Sequence, residues 1–178
     1  MQHAHNNLKV YGGIKIYAGE GSPELAGKIA AYLEQPLSGR DVIEFPNENL
    51  FVKLHGSARG QDVYVIQTTS SPVHKNLMEL LIMIQTLRLD SAARITAVIP
   101  YLCYGRSDKK DQPRVPISSR LVADMIEVAG ADRLMLGTDY PYDNTGEKDP
   151  VGALKRAGLR NCEQILGKNA ADLLGISD

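Results

Sequence analysis

The chain has 178 residues, 43% of them hydrophobic, and a formal net charge of −1. That length suits one domain, or one with a small extension, and the composition is rich enough to bury a core. Near-neutrality excludes bulk attraction to nucleic acid or to an acidic membrane surface, so any basic site must be local.

Residues 1–12 are polar and read as a loose tail ahead of a single α/β domain over 13–178. Ile14-Lys15-Ile16-Tyr17 reads as a short strand ending at Gly19. Ser22-Pro23 then gives an N-cap with proline at the first helical position, opening a helix to about Leu33. Asp41–Phe45 reads as a strand, FPNEN as a turn and Leu50–Leu54 as the returning strand. Arg59–Asp62 is the next turn, and VYVIQT, 63–68, is an apolar, β-branched run that suits a buried strand.

Asn76 with Glu79 three residues on predicts a capping box for the helix NLMELLIMIQTLR. Apolar residues cover most of that helix's circumference, so it is expected to pack on more than one side. ITAVIPY, 95–101, is another buried strand, followed by a long polar loop. Ser118 is placed to cap a helix from about Ser119 to Ala129, and Gly130 to close it. RLMLGTD, 133–139, reads as a further strand. Asp149-Pro150 opens a short helix to about Ala157, and Asn161 with Gln164 caps a last helix to about Leu174. This order predicts an α/β fold, a largely parallel sheet flanked by helices.

Parallel sheets bind ligands beyond the carboxyl ends of their strands. Three stretches stand there. TTSSP, 68–72, offers hydroxyls and backbone amides to an anion, or is an ordinary serine-rich turn. YGRSDKKDQPR, 104–114, gathers Arg106, Lys109, Lys110 and Arg114 within nine residues. Such a loop either meets phosphate or is solvated, with Asp108 and Asp111 offsetting part of its charge. GTDYPYD, 137–143, ends a strand on Asp139, which can take a proton, bind a metal or serve a turn.

Elsewhere the signals are thinner. His3 and His5 form an H-x-H pair able to share a metal in a strand but placed in the tail. Cys103 and Cys162 have no metal-type spacing. No Walker or dinucleotide-type glycine motif is present, nor a credibly placed Ser/His/Asp set. No apolar run approaches the ~18–20 residues of a membrane span. MQHAHNN has no apolar signal core, so a cytoplasmic location is expected.

FPNEN, ARGQDVYVIQ, NLMELLIMI and SAARITAVIPYLCYGRSDKKDQPRVPISSRLVADMIEVAGAD together resemble the N-terminal half of ribose-phosphate pyrophosphokinases, over roughly residues 13–133. The resemblance implies a type I phosphoribosyltransferase-like fold, ATP and magnesium as cofactors, and a homo-oligomer whose subunits share the ATP site. Of the family's ATP-touching F-x-N-x-E turn, Phe45 and Asn47 match, and Asn49 stands where the acid belongs unless Glu48 replaces it. Of its A-R-Q-D segment, Arg106 and Asp108 match and the glutamine is lost. Lys109, Lys110 and Arg114 resemble the basic run that follows. Where the family carries D-L-H with a magnesium-binding histidine, this chain has Gly137-Thr138-Asp139-Tyr140.

The tail, about 133–178, resembles instead the end of metal-dependent amidohydrolases, whose G-T-D-Y-P aspartate serves the catalytic metal and matches Asp139. A chimera is implied, with 134–178 as a β-α-α extension that completes the sheet. Without the metal histidine and the family's ribose-phosphate loop, a non-catalytic domain that retains ATP or phosphate affinity and self-associates is expected. The alternatives are a subunit that works with a full-length pyrophosphokinase, and a metal-dependent hydrolase built on Asp139 with His3 and His5.

Overall fold

The computed structural model describes residues 12–130. Its elements in chain order are β1 (Ile14–Ala18), α1 (Pro23–Tyr32), β2 (Arg40–Glu44), β3 (Leu50–Leu54), β4 (Asp62–Ile66), α2 (Val73–Leu89), β5 (Arg94–Val98) and α3 (Ser118–Ala129). Strands β1, β4 and β5 form a parallel sheet with β4 in the middle. Strands β2 and β3 form a separate antiparallel hairpin. The expected parallel sheet is therefore present, with the hairpin as a unit of its own.

The two faces of the sheet follow from the alternation of side chains along each strand. Tyr17, Val63, Val65, Ile95 and Ala97 face α2 and α3 in the larger core, which Leu80, Met83, Ile84, Leu87, Val122 and Ile126 complete. Ile16, Ala18 and Ile66 face the other way and meet Ala26 and Ala30 of α1. The hairpin adds Val42, Val52 and Leu54 to the larger core, so α2 lies between the hairpin and the sheet. At the amino end of the sheet, Arg94 grips Asp62 of the neighbouring strand, its Nε donating to Oδ1 at 2.6 Å.

The helix starts differ from expectation in an informative way. Pro23 does open α1, but the Ser22 hydroxyl does not cap it and accepts from the Thr68 amide instead, at 3.2 Å. The Asn76/Glu79 capping box does not exist: α2 begins four residues earlier, with Pro72 at its N-cap. Asn76 is inside the helix, its amide donating to the Pro72 carbonyl at 3.0 Å and its side chain reaching back to the Ser70 carbonyl at 2.9 Å. Helix α3 likewise starts one residue early, with Ile117 at its N-cap and Ser118 in the helix. Gly130 closes it as expected, in the left-handed region at φ 109°, a conformation glycine adopts without a Cβ clash. The strand expected at 133–139 and the helices expected beyond it lie outside the described residues, as does nearly all of the N-terminal tail.

Leu80 is fully buried in the larger core, whereas Met78 on the same helix is 45% exposed. Leu80→Ala is expected to lower unfolding stability by about 2–5 kcal/mol, and Met78→Ala by less than about 0.5 kcal/mol. Urea titrations followed by circular dichroism, compared at equal slope, check both.

Candidate nucleotide site at the carboxyl edge of the sheet

Strands β1, β4 and β5 all end on the same edge, and each hands over to a loop there. These three loops are tied together by buried polar groups. Thr69, fully buried, donates its hydroxyl to the Tyr101 carbonyl at 2.7 Å and accepts from the Cys103 amide at 2.7 Å. Thr68 takes the Ser22 hydroxyl as its acceptor. The Thr69 hydroxyl and the Thr68 amide are thus committed to bracing neighbouring loops, as in an ordinary strand–helix turn.

Beneath the β1–α1 loop lies a polar cluster that sequence reasoning missed. Glu79 and Gln67 are both fully buried. The Glu79 carboxylate accepts from the Glu20 amide at 2.7 Å and from Gln67 Nε2 at 3.2 Å. Gln67 also donates to the Asn76 carbonyl at 3.3 Å, and its Oε1 accepts from the Gly21 amide at 2.9 Å. Among the described residues no buried side-chain nitrogen or oxygen lacks a partner. The loop can lie this close because Gly19 has no side chain: a Cβ there would sit 2.2 Å from Gln67 Oε1. The available signal was an acid inside an otherwise apolar helix run, Met78-Glu79-Leu80-Leu81, which reads more readily as a cap. Burial raises the pKa of Glu79 above the ordinary carboxylate value, partly opposed by its hydrogen bond from the Glu20 amide and by the nearby Arg40 charge.

The basic loop leaves β5 at the same edge. Arg106, Asp108, Lys109, Lys110 and Arg114 are all exposed. Its base is fixed: the Ser107 amide donates to the Tyr104 carbonyl at 2.9 Å, and the Ser119 amide and hydroxyl of α3 both donate to the Ser107 carbonyl. Tyr104 at φ 59° and Arg114 at φ 65° adopt the left-handed region, which non-glycine residues rarely enter. Among the described residues, none of the loop's four cations makes an ion pair, and neither Asp108 nor Asp111 neutralises one.

Phe45 and Asn47 stand at the tip of the β2–β3 hairpin. The tip is closed by the Phe45 amide donating to the Asn49 carbonyl and the Glu48 amide to the Phe45 carbonyl, both at 2.8 Å. The Asn47 side chain accepts from the Asn49 amide at 3.3 Å. The Phe45 ring tilts against Phe51, centroids 6.5 Å apart, and both remain about half exposed. Among the described residues no hydrogen bond or ion pair joins Phe45 or Asn47 directly to the basic loop. The first turn of α2 links the two instead. Lys75 pairs with Glu44 at the hairpin's end, and His74 Nε2 bonds the Tyr104 hydroxyl at 3.0 Å. The Glu44 carboxylate holds the Lys75 ammonium above its ordinary pKa.

Among the described residues no cluster of three metal-ligating side chains occurs. Asp139, His3 and His5 lie outside the described residues. No described helix is long and apolar enough to cross a membrane.

Comparison with known proteins bears on residues 14–130, which match the family described as the N-terminal domain of ribose phosphate pyrophosphokinase. The ribose-phosphate pyrophosphokinase of Agrobacterium fabrum is 48% identical over 122 residues, 68% of this chain and 39% of that protein. That of Wolinella succinogenes is 48% identical over 123 residues, 69% of this chain and 40% of that protein. A crystal structure of phosphoribosylpyrophosphate synthetase from Mycobacterium smegmatis superposes with a TM-score of 0.68 at 43% identity, covering 69% of this chain and 41% of that one. The chain thus spans about two fifths of the length of the curated relatives it matches. Residues 133–178, for which a likeness to amidohydrolases is expected, lie outside both the family match and the described residues, and none of these relatives bears on that expectation.

The Glu79 cluster predicts a pH dependence with a definite sign. Because the folded protein holds the Glu79 proton to higher pH than the unfolded chain, this group's contribution to stability is complete below the ordinary glutamate value of about 4.3. It is lost as pH rises through the raised folded-state value. Glu79→Gln removes this titration. Urea midpoints measured from mildly acidic to neutral pH should therefore decline less steeply in the variant than in the wild type.

Proposed function

The chain belongs to the ribose-phosphate pyrophosphokinase family, whose N-terminal domain it carries over residues 14–130, and on that premise we propose that it binds ATP with magnesium at the carboxyl edge of its sheet. The observation that carries this reading is the set of four exposed cations, Arg106, Lys109, Lys110 and Arg114, without an ionic partner among the described residues. Guanidinium and ammonium groups gathered on a braced loop suit a polyphosphate, with arginine offering forked donors and lysine point charges. Magnesium dehydrates reluctantly and is held largely by substrate phosphates with one or two carboxylates. The exposed carboxylate of Asp108, within the same loop, fits that role. Phe45 offers an aromatic face and Asn47 an amide for the rest of the nucleotide.

The reading extends to assembly. Phe45 and Asn47 make no direct polar contact with the basic loop of their own chain, and the family resemblance implies an ATP site shared by neighbouring subunits. A homo-oligomer in which the hairpin tip of one copy completes the basic loop of another accounts for both. Pyrophosphate transfer by this chain alone is not expected. Phosphoryl chemistry of this kind depends on positioning and charge stabilisation, and Gly137-Thr138-Asp139-Tyr140 replaces the segment that carries the magnesium-binding histidine. Residues 134–178 then serve as a β-α-α extension of one α/β domain.

Calorimetric titration with ATP and magnesium tests the site. Saturable binding is expected in the wild type, and Arg106→Ala is expected to weaken it about 10- to 100-fold, the worth of one or two charge-assisted hydrogen bonds. A wild-type chain that shows no heat of binding rejects the nucleotide reading. Formation of AMP from ATP when the purified chain is given ATP, magnesium and ribose 5-phosphate, and not when ribose 5-phosphate is omitted, rejects the non-catalytic part of it.

A further inference from the structure

Helix α2 is apolar around most of its circumference, yet the described residues cover only part of it. Leu77, Leu80, Met83, Ile84 and Leu87 are buried. On the flank turned toward α3, Leu81, Ile82 and Leu89 form one wall of an open groove, and Met125, Val128 and Ala129 form the other. The groove measures about 550 Å³. Leu89 is 75% and Val128 77% exposed in it. A helix that is apolar on several sides belongs in a packed interior, and contiguous exposed apolar surface marks a contact site.

The chain itself leaves from the rim of this groove. Gly130 ends α3 against Arg88, where a Cβ would stand 2.5 Å from Arg88 Cδ, and Arg88 Nη1 donates to the Val128 carbonyl at 3.4 Å. Residues 131–178 continue from there. Within them, the Asn161/Gln164 pair heads a segment with Cys162, Ile165, Leu166, Ala170, Leu173 and Leu174 at helical spacing. Gln164, Lys168 and Asp172 fall on the opposite side, while Asn169 stands within the stripe between Ile165 and Leu173, and Glu163 at its margin. The pattern is an apolar-rich face, interrupted by Asn169, opposite a polar one, as expected of a helix that packs on one side.

We propose that residues 161–174 dock as a helix, through this stripe, into the α2–α3 groove of the same chain. The tether favours the chain's own segment over a second copy. Residues 131–160 connect groove to segment, and a short tether holds its cargo at an effective concentration on the order of millimolar. Intermolecular docking has no such help. Docking uses none of the proposed nucleotide-site residues, so the two readings stand or fall separately.

Footprinting with a photoactivated carbene probe on the full chain, read by mass spectrometry at Leu89, Met125 and Val128, tests the proposal. Low labelling at these positions is expected in the wild type, unchanged on dilution, and a severalfold rise is expected in Leu173→Asp/Leu174→Asp. Labelling of the buried Leu80 reports whether that variant keeps its fold; if it does not, the milder Leu166→Ser carries the same expectation at smaller amplitude. The opposite-face exchange Lys168→Ser should leave the pattern as it is. Equal labelling in wild type and stripe variants overturns the proposal. Wild-type labelling that rises on dilution also overturns it, in favour of a second copy in the groove.

Discussion

The carboxyl edge of this sheet depends on one buried carboxylate. Glu79 projects from the middle of an apolar helix into the space under the β1–α1 loop, where it receives the Glu20 amide and Gln67. Gln67 in turn holds the Gly21 amide and the Asn76 carbonyl. A buried carboxylate is tolerated only where its hydrogen bonds are made, since an unsatisfied polar group costs about 1–3 kcal/mol. The network therefore dictates where the loop can lie, and it needs Gly19 and Gly21, because any side chain there would occupy the space of Gln67. Two strands and a helix are locked together at the point where a parallel sheet presents its ligand-binding face.

This rigidity bears on how the basic loop works. Four cations on one short loop repel one another, and in most surface loops neighbouring acids would relieve them. Asp108 and Asp111 are present but make no ion pair with them among the described residues, so the charge remains available. Holding it in place falls to uncharged contacts: Thr69 clasping Tyr101 and Cys103, and Ser119 clasping Ser107. On the nucleotide reading proposed above, a loop fixed at its base by hydrogen bonds and left uncompensated at its crest is suited to an anion. It loses little conformational freedom when one arrives.

The legibility of these features in the sequence follows from how local they are. VYVIQT and ITAVIPY declare buried strands through their β-branched runs, and the IKIY, Asp41–Phe45 and Leu50–Leu54 strands fall within a residue of the observed β1, β2 and β3. Gly130 declares a helix end because the left-handed closing turn is a local demand that glycine meets without a Cβ clash. The basic loop was visible as charge density after a strand. What stayed hidden was every role set by a partner distant in sequence. Asn76 and Glu79 have the spacing of a cap, but their partners are Ser70, Glu20 and Gln67, and Glu20 is supplied from another element. Ser22 has the position of a cap, but Thr68 claims its hydroxyl. Cap spacing states what a residue can do for its own helix, and tertiary contacts then decided otherwise.

Helix α2 is where these local and distant demands converge. Its buried face fills the core, and its middle supplies Glu79. Its first turn touches both parts of the proposed nucleotide site, Lys75 reaching Glu44 beside the hairpin tip and His74 reaching Tyr104 at the root of the basic loop. Exposed pairs of this kind contribute little to stability, so they cannot by themselves fix the spacing between tip and loop. The helix between them can, because its position is set by the packed core rather than by the pairs. The two surface contacts then act as alignment pins on a rigid body. The hairpin tip and the basic loop are thus both positioned by α2, and among the described residues no hydrogen bond or ion pair joins them directly.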